Sequence, residues 1–181
     1  MRSHWWWFVL SAIVGLTCSA SAQRGGAGNP VKTPGSGLTG MWAISGTSLD
    51  ASARPTLMAR LSADDSVAGA DRPELVLRCR GQVFDAYVDT KVVTSGVGNR
   101  VQWDDAPAQP YPVWSESDSD AETLFTVEPE QFVRRAIKAR RLRFEFKPTH
   151  GAPAVASFRL AGMSGVVLRL QQACPTLVAL H

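Results

Sequence analysis

Hydrophobic and polar positions fall into three regimes along the chain. From Trp5 to Leu16 the residues are almost all apolar. From Trp42 onward short segments alternate apolar and polar, the period of half-buried strands. Such segments run at Trp42 to Ser48, Thr56 to Leu61, Glu74 to Cys79, Val83 to Val88, Arg100 to Trp103, Tyr111 to Trp114 and Thr123 to Val127. Gly81 sits between the third and fourth and predicts a hairpin. The period then changes. Glu128-Pro129-Glu130 puts a proline and two acids where a helix begins, with Phe132, Val133, Ala136 and Ile137 on one face and Arg134, Arg135 and Lys138 elsewhere. Alternation returns at Arg141 to Lys147, where Leu142, Phe144 and Phe146 oppose Arg141, Arg143, Glu145 and Lys147. A turn at His150 to Pro153 leads to a partner strand, Ala154 to Leu160. Ser164 is placed to cap a last helix that carries Val167, Leu168 and Leu170 and ends at Cys174 before Pro175. Strands followed by late helices predict a mainly β (α+β) fold, an antiparallel β-sandwich with two helices in its C-terminal part.

The first regime is a different object. Arg2 and His4, an apolar run, and then Ala20-Ser21-Ala22 form the pattern of a cleaved export signal over residues 1–22. The run is too short to cross a bilayer, which takes about 20 residues. Lipid attachment at Cys18 is disfavoured, because Gly15 and Thr17 occupy the positions where a lipobox has an aliphatic and a small residue. Residues 23–41 hold six glycines and two prolines and read as a flexible spacer. A single domain is expected over 42–176, with a short tail at 177–181. The chain is thus expected to be periplasmic or secreted, without a transmembrane segment after cleavage.

Export changes the meaning of the cysteines. With Cys18 removed, Cys79 and Cys174 are an even pair in an oxidising compartment, which favours a disulfide between them over two buried thiols.

Charge changes the picture again. The whole chain carries a formal +3. Between residues 23 and 130, however, nine basic residues face fifteen acidic ones, whereas nine basic residues face one acid beyond 130. Arg134, Arg135, Lys138, Arg140, Arg141, Arg143 and Lys147 crowd one stretch. Arg134, Arg135, Lys138, Arg141, Arg143 and Lys147 are therefore a candidate surface for an anionic partner, an envelope protein or an anionic envelope polymer. The alternative is that they pair with the acidic residues of 104–130 in the same molecule. Nucleic acid is not expected for an exported chain whose basic face carries no interleaved aromatics.

Catalytic motifs do not emerge. Beyond the signal, only His150, in a Gly/Pro turn, and the terminal His181 are available for a triad or a metal. Ser164 lies between Gly162 and Gly165, but the surrounding pattern is that of a helix cap and not a nucleophile elbow. The Ser115 to Asp120 run lacks the glycine and the terminal glutamate of a calcium loop and reads as a solvated hairpin tip. No catalytic residue, metal or cofactor is assigned.

The order of elements resembles the VasI/TagO-type family of proteins associated with bacterial type VI secretion. The matching pieces are Trp42-Ala-Ile-Ser45 with Ser48-Leu-Asp50, Leu75-Val-Leu-Arg-Cys79, Val83 to Val88, Arg100-Val-Gln-Trp103 and Trp114-Ser115. Phe132, Arg141-Leu-Arg-Phe144, Ser157-Phe-Arg-Leu-Ala-Gly162 and Leu168-Arg-Leu-Gln-Gln-Ala-Cys174 follow in the same order. Pro175-Thr176 departs from the family, which tends to have an aromatic there. The resemblance implies a non-catalytic envelope accessory protein. A carboxylate-dependent cell-wall glycan hydrolase and an exported enzyme inhibitor are the alternatives.

Overall fold

The computed structural model describes residues 37–39, 41–47, 56–67, 69, 71–115, 121–175 and 177. The signal expected at 1–22, Cys18, most of the spacer, the acidic run at 116–120 and residues 178–181 lie outside them.

All the strand pairings are antiparallel and form two sheets. The larger has the order β1 (Gly37–Thr39), β2 (Trp42–Thr47), β3 (Thr56–Ser62), β4 (Glu74–Arg80), β5 (Val83–Thr94), β9 (Ala121–Thr126), β8 (Val113–Trp114). The smaller runs β11 (Ala154–Arg159), β10 (Arg141–Phe146), β6 (Arg100–Trp103), β7 (Gln109–Pro110). Helix α1 (Pro129–Lys138) packs against β5, and α2 (Met163–Ala173) against β3 and β4. The fold is the expected β-sandwich with two late helices.

The alternation dictates the core. Leu57, Ala59 and Leu61 of β3, Leu75 and Leu77 of β4, and Phe84, Ala86 and Val88 of β5 are buried in one cluster. Leu142, Phe144 and Phe146 of β10, Ala156 and Phe158 of β11, and Val101 and Trp103 of β6 belong to the same cluster. The helices add Phe132, Val133 and Ala136 from α1, and Met163, Val166, Val167 and Leu170 from α2. The β4–β5 hairpin turns through Gly81 at φ +67, a backbone state that glycine adopts without steric cost. Past it, β5 is longer than its alternation suggested. Its register shifts between Asp89 and Thr94, with Lys91 at φ +60, and its end reaches the smaller sheet. There the amide of Thr149 donates to the Val93 carbonyl and that of Ser95 to the Lys147 carbonyl. One strand thus ties the two sheets at a corner.

Two boundaries differ from the sequence expectation. Gly37–Thr39, placed in the spacer, pair with β2 as an edge strand, because a backbone ladder needs no apolar side chains. Leu177, placed in the tail, is fully buried in the core, and its carbonyl accepts from Gln171 Nε2 at 3.0 Å.

Cys79 and Cys174 form a disulfide with Cα atoms 5.8 Å apart, linking the inner face of β4 to the end of α2. It closes a loop spanning a sequence separation of 95 residues.

The outer face of the larger sheet is not simply polar. Register aligns Arg60, Val76, Tyr87, Phe125 and Trp114 in one row across β3, β4, β5, β9 and β8. Trp114 stacks on Phe125 with ring centroids 4.4 Å apart, and the Arg78 guanidinium lies over Tyr87 and Phe125 while paired to Asp85 at 2.8 Å. Val76, Tyr87 and Phe125 form a second small buried cluster, against which Met58 packs.

Two outcomes are expected. Replacing Cys79 and Cys174 together by serine lowers the unfolding free energy by about 2–5 kcal/mol, read as an earlier midpoint in guanidinium chloride. The second concerns Tyr87 and Tyr111, the chain's two tyrosines. Burial pushes Tyr87 above its ordinary 10.0, against the opposing pull of Arg78. Burial, reinforced by Glu128 and opposed by Arg135, pushes Tyr111 up to about 12. Each phenol holds its proton more tightly folded than unfolded. Their stabilising contribution is therefore complete below pH 10.0 and is lost as pH rises above it, for Tyr111 on the way to about 12. Absorbance at 295 nm during a pH titration should show no ordinary tyrosine in the folded protein.

Candidate binding site: an arginine-rimmed cleft

The site begins with a turn. At the end of β6, Asp104 adopts φ +48, a left-handed conformation that aspartate tolerates better than most residues. Its carboxylate Oδ1 accepts hydrogen bonds from the backbone amides of both Arg140 and Arg141, each at 2.9 Å. Its own amide donates to the Arg141 carbonyl at 3.0 Å. These bonds clamp the α1–β10 connection and set the two arginine side chains out from adjacent positions. The Leu160 amide donates to the Arg140 carbonyl at 2.9 Å, bringing the end of β11 to the same place.

The result is a cleft of about 700 Å³. Asp104, Asp105, Arg140, Arg141 and Arg159 supply its charged lining, and Ile137, Leu160 and Met163 an apolar part. The β11–α2 turn, Ala161 to Ser164, closes another side. Gly162 at φ +85 occupies the N-cap of α2 and makes no side-chain cap bond. Ser164, expected to be the cap, instead lies inside the first turn and lines the cleft: the helix starts at Met163, where the left-handed glycine lets the chain reverse.

Electrostatically the rim is crowded. Arg141 and Arg159 stand directly opposite in the β10–β11 ladder, a like-charge pairing that destabilises a sheet unless it is relieved. Asp64 relieves it by taking Arg159 Nε at 2.8 Å. Among the described residues, no carboxylate lies within 4.0 Å of the basic groups of Arg134, Arg135, Lys138, Arg140, Arg141, Arg143 or Lys147.

The six cations expected to share a surface are divided between two elements. Arg134, Arg135 and Lys138 are exposed on α1, and Arg135 is drawn over the Trp103 ring, 5.4 Å from its centroid. Arg141, Arg143 and Lys147 follow the outer face of β10; Arg143 Nη1 donates to Gln102 Oε1 at 3.2 Å. Lys147 lies about 20 Å along the strand direction from Arg141 at the usual rise per residue. Of the six, Arg141 lines the cleft. Arg159 was not among them; the ladder pairs Phe146 with Ala154 and so sets Arg159 opposite Arg141. Among the described residues, no group of three or more His, Cys, Asp or Glu is placed to hold a metal ion. No helix among them is long and apolar enough to cross a membrane.

No protein-family model matches the chain, and no curated protein matches it. Among solved structures, the chain is similar to the invasion associated protein B of Bartonella henselae, at 10% identity and a TM-score of 0.53. The match covers 76% of this chain and 96% of the other. At that identity the likeness concerns the fold.

Asp104 offers a direct test of the turn. Asp104→Ala removes the acceptor of two backbone amides and is expected to cost about 1–3 kcal/mol in urea unfolding. Asp104→Asn keeps an acceptor oxygen and tolerates the same backbone state, and should cost clearly less.

Proposed function

We propose that this protein is a non-catalytic accessory module of the bacterial envelope, of the VasI/TagO type that its sequence resembles, and that it docks an acidic partner protein on the cations of 134–147. The observation that carries this reading is electrostatic. Seven basic residues protrude from α1, β10 and the positions beside them, and no described carboxylate lies within 4.0 Å of their basic groups. Cations held on a rigid helix and strand act mainly on encounter rate and partner choice, and their effect fades with salt.

Extracytoplasmic placement is part of the proposal. The disulfide and the lack of a membrane-crossing helix among the described residues are compatible with it. The signal read at 1–22 supplies the route.

Crosslinking followed by pull-down from envelope extracts tests the reading. A specific protein should be captured, and capture should weaken as salt is raised from about 50 to 300 mM, where the screening length shortens. Joint charge reversal at Arg134, Lys138, Arg143 and Lys147 should abolish it. Capture of nothing under crosslinking, or capture indifferent to both salt and charge reversal, counts against the proposal. Salt-sensitive retention on anionic polymer alone would reassign the partner.

A further inference from the structure

The cleft has a property that a plain cationic surface lacks: it is bipolar. Arg140 and Arg141 line it together with Asp105, yet none of the three forms an ion pair with another described residue. Opposite charges on flexible side chains usually meet when they can. Here the backbone amides of the two arginines donate to the Asp104 oxygen, and Asp105 follows Asp104 in the lining. Arg159 is already committed to Asp64. Ile137, Leu160 and Met163 add an apolar part to the lining. The volume of about 700 Å³ falls within the ordinary range of small-ligand sites.

Each simpler ligand leaves part of this lining unmatched. A dianion such as phosphate would meet Asp105 as a like charge, and a simple cation would meet two arginines. An uncharged apolar ligand would leave all three charged groups without a partner. A molecule carrying both charges on a short apolar body matches Arg140, Arg141 and Asp105 together with the apolar part of the lining. We infer that the cleft binds a short peptide in its zwitterionic form. Arg140 and Arg141 take the terminal carboxylate, Asp105 takes the terminal ammonium, and the body lies against Ile137, Leu160 and Met163. A guanidinium presents its donors in a planar fork that fits a carboxylate with two parallel bonds. This inference shares Arg140 and Arg141 with the docking surface proposed above but does not rest on it, since it uses none of Arg134, Arg135, Lys138, Arg143 and Lys147.

The test uses the purified chain and dialanine, with N-acetyl-dialanine and dialanine amide as blocked forms, followed by calorimetry or NMR titration. Dialanine should bind saturably, and each blocked form about tenfold more weakly or worse. Arg141→Ala should weaken dialanine but not the amide, which has no carboxylate to lose. Asp105→Asn should weaken dialanine but not the N-acetyl form, which has no ammonium. Arg72→Ala, at an exposed arginine outside the cleft lining, should leave dialanine binding unchanged. No saturable binding overturns the inference. So does equal binding of the blocked forms, or inorganic phosphate binding as tightly as dialanine. Because blocking the ligand leaves the protein untouched, a folding defect cannot imitate the result. Loss of dialanine binding with partner capture intact, or the reverse, separates this inference from the proposed function.

Discussion

The burial of Leu142, Phe144 and Phe146 is the constraint on which the rest of this surface depends. In a strand, successive side chains point to opposite faces. Once those three residues enter the core, Arg141, Arg143, Glu145 and Lys147 have no direction left but outward. The same rule on β11 sends Ala156 and Phe158 inward and leaves Arg159 outside, opposite Arg141. The crowding of positive charge on the sheet is therefore a geometric result of the core. Asp64 and Glu145 soften it at two points, through Arg159 at 2.8 Å and Arg100 at 3.9 Å.

A second layer of order comes from polar groups that hold the backbone. Asp104 shows this most clearly, since one carboxylate oxygen serves two amides on a segment 36 residues downstream. At the bulge in β5, the buried Thr90 hydroxyl lies 2.7 Å from the Val92 carbonyl and 2.8 Å from that of Glu122, and donates to one at a time. Lys91 bonds Asp89 at 2.6 Å and Glu74 at 3.2 Å. Burial lowers the affinity of Lys91 for its proton, but these two carboxylates more than offset that and leave its pKa raised. Such contacts set where the chain turns, and the turns set which side chains share a cleft.

The strands, the late helices, the hairpin at Gly81 and the disulfide were legible in the sequence, because each leaves a local mark: a period, a glycine, a pair of cysteines. Edge strand β1 left none, since its pairing with β2 is made through the backbone. Leu177 looked like the start of a tail because burial by distant elements has no local signature. The cleft was legible only in part. Arg141 was one of the six cations read as a candidate surface, but Arg159, Asp104 and Asp105 join it through pairing and through a side-chain-to-backbone bond that periodicity does not encode. The outward row of Tyr87, Phe125 and Trp114 likewise depends on the register of three separate strands.

The disulfide has a consequence for the order in which the molecule can be made. A chain delivered from its N-terminus exposes Cys79 long before Cys174, its partner 95 residues later. Until α2 arrives, the thiol on β4 must wait, open to any oxidant or foreign thiol it meets. Apart from Cys18, the chain offers it no other intramolecular partner, so an internal mispairing trap is nearly absent. The cost is a long interval of vulnerability during delivery, ended only when the final helix closes over the inner face of the larger sheet.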